Sequence, residues 1–177
     1  MASSSLFRHL LGASFERLPA GIRQVHAGHP SLWFEGACAI ERGRHWLARL
    51  SAVIAGMPPA TAQVDLRIEI AADAAGETWN RHFGERLMSS RMHAVNGLLV
   101  ERLGPLTIAF QLEAADQQIR WNPRAGRILG VPLPAAFFKG VVACESMIDG
   151  RYHFDVRAAL PLMGLVIHYR GWLRTDG

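Results

Sequence analysis

The chain has 177 residues, 50% of them hydrophobic and 19% charged, with 17 Gly and 9 Pro spread along its length. That is the profile of one globular domain, 1–177, large enough to bury a core without metals or disulfides, and its longest apolar runs fall far short of the ~20 residues of a membrane-spanning helix. Nineteen Lys and Arg against fifteen Asp and Glu leave a net charge of +4, and the dense cationic stripe of a nucleic-acid binder is missing.

Residues 1–30 read as a helical lead-in and 31–174 as a β-rich body. Met1 to Gly12 carries too short an apolar stretch for an export signal. Phe15, Leu18, Ile22 and Val25 recur at helical spacing, Pro19 suits a first turn and Gly28 a terminal cap, which predicts a short helix over 17–27. A strand follows at Trp33 to Ile40. Between His45 and Met57, Trp46, Leu47, Leu50, Val53, Ile54 and Met57 fall on one face of a helix that Gly56, Pro58 and Pro59 end.

From Ala62 onward the period becomes two. Val64, Leu66, Ile68 and Ile70 alternate with Asp65, Arg67 and Glu69, and Leu106, Ile108, Phe110 and Leu112 alternate with polar or small neighbours. Further strands are predicted at 77–83, 86–93, 97–102, 117–121, 137–147, 151–160 and 164–174, divided by turn signals such as Asn96-Gly97 and Asp149-Gly150. The class is therefore mainly β (α+β). It is a curved antiparallel meander of about nine or ten strands forming a barrel or half-barrel, with an N-terminal helix and a helix between the first two strands. The spacers of a doubly wound parallel sheet are absent.

Several constellations can carry chemistry. Glu77, Trp79, Arg81 and Phe83 share one strand face, so Arg81 sits between two aromatics. It is a candidate to hold the anionic head of an amphipathic ligand, or else it pairs with Glu77 or Glu101, or reaches the rim. Glu101, in an otherwise apolar run, is a candidate buried carboxylate or a rim ion-pair partner. In the last hairpin Asp155 lies across from His168 or Arg170, with Trp172 on the same face. A carboxylate orienting a histidine is what a general base requires, while the plain alternative is an outward ladder of opposite charges.

Other signals are weaker. Arg120, Arg124 and Arg127 form a local cationic cluster read as a solvated loop, the alternative being an anion or membrane-surface patch. His26-x-x-His29 has a metal-site spacing, but it lacks companion ligands and falls at a predicted helix end. Cys38 and Cys144 sit in apolar or alternating segments and read as free thiols in a cytoplasmic protein. There is no G-x-S-x-G, P-loop, G-x-G-x-x-G or H-E-x-x-H motif, so no cofactor is expected.

The ending Gly150 to Val156, then Leu160-Pro161-Leu162, Gly164-Leu165 and Tyr169-Arg170-Gly171-Trp172-Leu173, resembles the C-terminal signature of the bacterial family called domain of unknown function 4166. Leu18-Pro19, Phe34-Glu35-Gly36, Gly56 to Pro59, Glu77-x-Trp79-x-Arg81-x-Phe83-Gly84 and Leu99-x-Glu101-Arg102-x-Gly104-Pro105 are similar to its other blocks, over roughly residues 7–174. The resemblance supplies no activity or catalytic residue. It implies an association with an NAD(P)-binding oxidoreductase that acts on a lipid-like or polyketide-like small molecule.

Three expectations follow. In the first, the barrel binds a small apolar or amphipathic, lipid-like molecule through Trp79, Arg81, Phe83, Arg170 and Trp172. In the second it is a cofactor-independent isomerase, cyclase or lyase using Glu101 or the Asp155/His168 pair as acid and base. In the third it is a structural or interaction domain partnering an oxidoreductase. All but one of the cations are Arg, the exception being Lys139. Arg tolerates partial burial beside carboxylates and aromatics, which points the basic balance toward the interior or rim of a cup.

Overall fold

The computed structural model describes residues 5–175; part of the stretch read for an export signal, residues 1–4, lies outside them. Three short helices come first, α1 (Leu6–Leu11), α2 (Ala13–Glu16) and α3 (Ala20–Val25). They are followed by β1 (Leu32–Arg42), α4 (Trp46–Ile54) and β2 (Thr61–Asp73). The meander continues through β3 (Gly76–Phe83), β4 (Arg86–Val95), β5 (Leu98–Leu103), β6 (Leu106–Ala115) and β7 (Gln118–Ile128). After the short β8 (Val131–Leu133) and a 3-10 turn (Ala135–Phe138) come β9 (Gly140–Ile148), β10 (Arg151–Leu160) and β11 (Gly164–Leu173).

All pairings are antiparallel, and the sheet closes because β11 returns to β1 and β6 pairs with β7. The result is a closed ten-strand barrel, with β8 attached to β7 outside the ring. Closure removes the free edges that an open meander would expose. The predicted alternation sets the two faces: Leu66, Ile68 and Ile70 are buried, while Asp65, Arg67 and Glu69 are exposed. Gly36 and Gly171 stand on the β1–β11 seam where the backbones come too close for a side chain. A Cβ at Gly36 would lie 1.8 Å from the Trp172 carbonyl oxygen, and one at Gly171 would lie 2.2 Å from that of Ala37.

The two ends of the barrel differ. The end bearing the β2–β3, β4–β5, β6–β7 and β9–β10 turns is plugged by α1 to α3, whose Phe7, Phe15, Ile22 and Val25 are fully buried. We call this the closed end. Only one helix over 17–27 was expected. The structure instead has three pieces of four to six residues, too short to form alone or to show a clear period, which are stable because they pack into the barrel. Ser5 caps α1 and its hydroxyl donates to the His26 carbonyl.

At the opposite, open end, α4 begins against β11. Ala48 and Ala52 are buried, and the Ser51 hydroxyl meets the Met163 sulfur at 3.7 Å. Its last turn reaches the β5–β6 turn, where a Cβ on Gly104 would lie 3.9 Å from the Ile54 carbonyl oxygen. In ring order β11 and β5 are diametrically opposed, so α4 lies across the mouth. The apolar stripe that ordinarily marks a core-facing side is turned outward in Trp46, Leu50, Val53 and Ile54. Two alanines make the contact instead.

Two further expectations are corrected. The strand placed at 137–147 starts at Gly140, because Pro134 introduces the 3-10 turn. The segment 120–127 is strand and not loop: β7 runs on past Pro123, which is accommodated at a register shift opposite Ala109 and Phe110. Arg120, Arg124 and Arg127 are exposed along that strand.

Candidate functional site

The barrel interior is not filled. A cavity of about 250 Å³ runs down from the mouth, where Ser51 and Ile54 of α4 and Ala55 just beyond it form part of its wall. Its floor is made by Trp79, Trp121 and Tyr152, which rest on the plug: the Phe7 ring is 5.6 Å from Trp121 and the His26 ring 5.5 Å from Trp79, centroid to centroid. The walls are mostly apolar, as strand alternation dictates, and include Phe83, Phe110, Phe154 and Tyr169.

Three charged side chains enter this lining: Arg81, Glu101 and Glu145. Arg81 is 7% exposed. It faces inward because β3 alternates Glu77, Trp79, Arg81 and Phe83 on its buried side. Its Nη1 donates to Ser90 Oγ at 2.8 Å on β4, its Nη2 donates to Glu101 Oε1 at 3.3 Å on β5, and its guanidinium lies over the Trp79 ring at 5.1 Å. Of the partners expected for Arg81, Glu101 is the one it contacts. Glu77 turns instead to Trp79, whose indole N–H donates to its Oε2 at 3.1 Å.

Glu145, on β9, is met by the plug. His26 Nε2 donates to its Oε2 at 2.7 Å, with the His26 side chain wholly buried and that of Glu145 6% exposed. Burial, and then the Glu145 carboxylate, push the Tyr152 phenol well above its ordinary pKa. Burial likewise raises Tyr169 to about 12, although the Arg81 charge opposes it. Both phenols are thus held neutral as hydrogen-bond donors. The Trp121 indole N–H and the second oxygen of Glu77 are buried without a protein partner.

The other sequence candidates lie outside. Asp155 pairs in register with Arg170, and its Oδ1 accepts from His168 Nε2 at 2.8 Å. Both side chains are on the outer face of the barrel, with Asp155 exposed. Arg170 is bonded to Glu41 at 3.3 Å, and Trp172 stacks against the guanidiniums of Arg151 and Arg174. None of these four lines the cavity. His26 and Glu145 were missed as a pair. The legible signal was the strand Val141, Ala143, Glu145, in which a carboxylate occupies an inward position of an apolar alternation.

A family model described as a domain of unknown function (DUF4166) matches residues 18–173. No curated protein matches the sequence. Ten solved chains match; among them is the crystal structure of Rv2717c from M. tuberculosis, at a TM-score of 0.46 and 12% identity, covering 90% of this chain and 99% of that one.

Proposed function

The chain belongs to that family, whose description names no activity, and we propose from its own cavity that it binds a small apolar or amphipathic, lipid-like molecule inside the barrel. The observation that carries this reading is the conjunction of an apolar cavity of about 250 Å³ with a buried guanidinium in its wall. An apolar cavity of ~150 Å³ accommodates a benzene ring, so this one suits a medium-length chain or a small ring system. Arg81 uses one N–H on Ser90 and one on Glu101, which leaves donors for an oxygen of the ligand.

Such a site selects for an oxygen-bearing head on an apolar body, because a head without acceptors leaves buried donors unmatched. The free thiols of Cys38 and Cys144 support a reducing, cytoplasmic setting. The family resemblance implies an NAD(P)-binding oxidoreductase as the partner. Titration calorimetry with octanoate and decanoate tests the reading. Binding by the native chain, weakened about tenfold or more in Arg81→Met, is the expected result; no heat with either acid, and no small molecule released from the purified protein in native mass spectrometry, would overturn it.

A second reading, a cofactor-independent acid/base enzyme, is favoured by Glu101 and Glu145 standing in the same lining. It requires that Glu101→Gln abolish conversion of a bound molecule while leaving its affinity in place. Recovery of the same unaltered molecule from the native chain and from Glu101→Gln would remove it.

A further inference from the structure

Turn chemistry separates the two ends of the barrel. Outside glycine, residues with positive φ at the closed end are Asn96, Asp116, Gln117 and Asp149, mostly the short polar types that tolerate this conformation. At the open end the same conformation is taken by Leu129 (φ 52°) and Leu162 (φ 64°). A leucine there strains the backbone, and both are also in water, Leu129 78% and Leu162 95% exposed. Neither strain nor solvation accounts for two leucines in turns where asparagine or glycine would be unstrained. Leu162 precedes Met163, which meets Ser51 of α4, and the Leu129 amide donates to the Pro105 carbonyl in the turn that α4 reaches, so one end of the molecule carries exposed apolar side chains around the cavity mouth.

The open end is also rich in cations. Arg44, Arg49, Arg86, Arg102, Arg127 and Lys139 are exposed at the open end, and none forms an ion pair with a described carboxylate. Nearby exposed carboxylates are fewer: Asp65, Glu85, and Glu41, which Arg170 already engages. At the closed end cations and carboxylates are more evenly matched: Arg8 pairs with Glu16 at 3.2 Å and the half-buried Arg91 with Asp73 at 2.6 Å, Arg17 bonds Ser14, and Arg151 and Arg174 pack on the Trp172 ring. Arg42, whose Nη2 donates to the Arg49 carbonyl oxygen, has its pKa lowered by burial and by repulsion from Arg49 and Arg86, so these three guanidiniums crowd one side of the mouth. Apolar side chains encircled by unpaired cations match a surface that is apolar within and anionic at its face.

We propose that the open end docks on a bilayer containing anionic phospholipid, with Leu129, Leu162 and the outer face of α4 entering the headgroup layer and the ring of cations meeting the phosphates. This builds on the cavity as a ligand site and names the source of its ligand: the mouth would open directly into the lipid, so that an apolar molecule passes between membrane and barrel without crossing water.

The test is flotation of the whole chain with vesicles of phosphatidylcholine alone and with about one third phosphatidylglycerol. The native chain should float with the anionic vesicles, and far less with the neutral ones or in about 0.5 M NaCl, where screening shortens the reach of charge to a few ångström. The double variant Leu129→Asn, Leu162→Asn relaxes both turns and should fold at least as well, yet its partition should fall about tenfold. Arg44→Gln with Arg49→Gln should lower binding to anionic vesicles only. Flotation that ignores phosphatidylglycerol, or that the leucine variant leaves unchanged, overturns the proposal. So does a dimer of the native chain that the leucine variant dissolves while no vesicle is bound, since the rim would then cover a second copy. Decanoate titration without vesicles separates the two readings: titration intact with flotation absent removes the docking alone, and the reverse removes the cavity reading alone.

Discussion

His26 and Glu145 are joined by a hydrogen bond of 2.7 Å across 119 residues of chain, and their bond is the polar tie between the N-terminal plug and the wall of the barrel. Both side chains are out of water, so removing one leaves the other desolvated and alone. Glu145→Ala should cost about 3–5 kcal/mol of stability in chemical denaturation. The double variant His26→Leu, Glu145→Leu should recover most of that loss, because an apolar pair needs no partner. A single variant as stable as the native chain would show that the plug is held by its apolar residues alone.

Tyr152 and Tyr169 are the only two tyrosines, and both phenols are raised above their ordinary pKa of 10.0, Tyr169 to about 12. The folded state favours the neutral phenol, so this contribution to stability is complete below pH 10 and is lost as pH rises toward 12. Tyrosinate absorbance should therefore stay flat through pH 10 to 11 in the native chain and then rise for both residues together with unfolding. Titration of either tyrosine near pH 10 with the fold intact would contradict its burial.

At the seam between first and last strands, Gly36→Ala should destabilise the barrel by roughly 3 kcal/mol, since its Cβ would meet a backbone oxygen and not a yielding side chain. Gly97→Ala, where nothing lies within 4 Å, is the fitting comparison; its cost is limited to the positive φ of 77°. Thermal unfolding of the two variants measures the difference.

The pair Asp155 and His168 stands on the outer wall, with Asp155 exposed. Asp155→Asn should change stability by less than about 1 kcal/mol and leave decanoate binding as it is. A large loss of binding would place a ligand on the outer wall instead of in the cavity.

Period-two alternation made the barrel readable, because a strand with one wet and one dry face has to alternate. It also put Trp79, Arg81 and Phe83 on one face and made Glu101 a candidate partner for Arg81. Ring closure was less legible: nothing local in Gly36 or Gly171 announces that the two strands are neighbours. Short segments held only by tertiary packing, such as α1, leave little periodic trace. The facing of α4 was misleading for a physical reason. Its stripe obeys the rule for a buried helix, yet Ala48 and Ala52 are the residues it buries where it packs on β11. Glu145 and His26 became a site only when the fold brought the two ends of the chain together.

The closure of β1 on β11 also orders events during synthesis. Residues 32–42 leave the ribosome early but gain their second neighbour only after residues 164–173 have followed. Until then β1 presents an open hydrogen-bonding edge, and the plug, whose partners include β9 and β10, has an incomplete wall to fill. Until residues 164–173 emerge the nascent chain is thus an open, sticky sheet, and pairings this distant in sequence form slowly. Translation rate and chaperone supply should therefore govern the yield of this barrel more than the strength of any single contact within it.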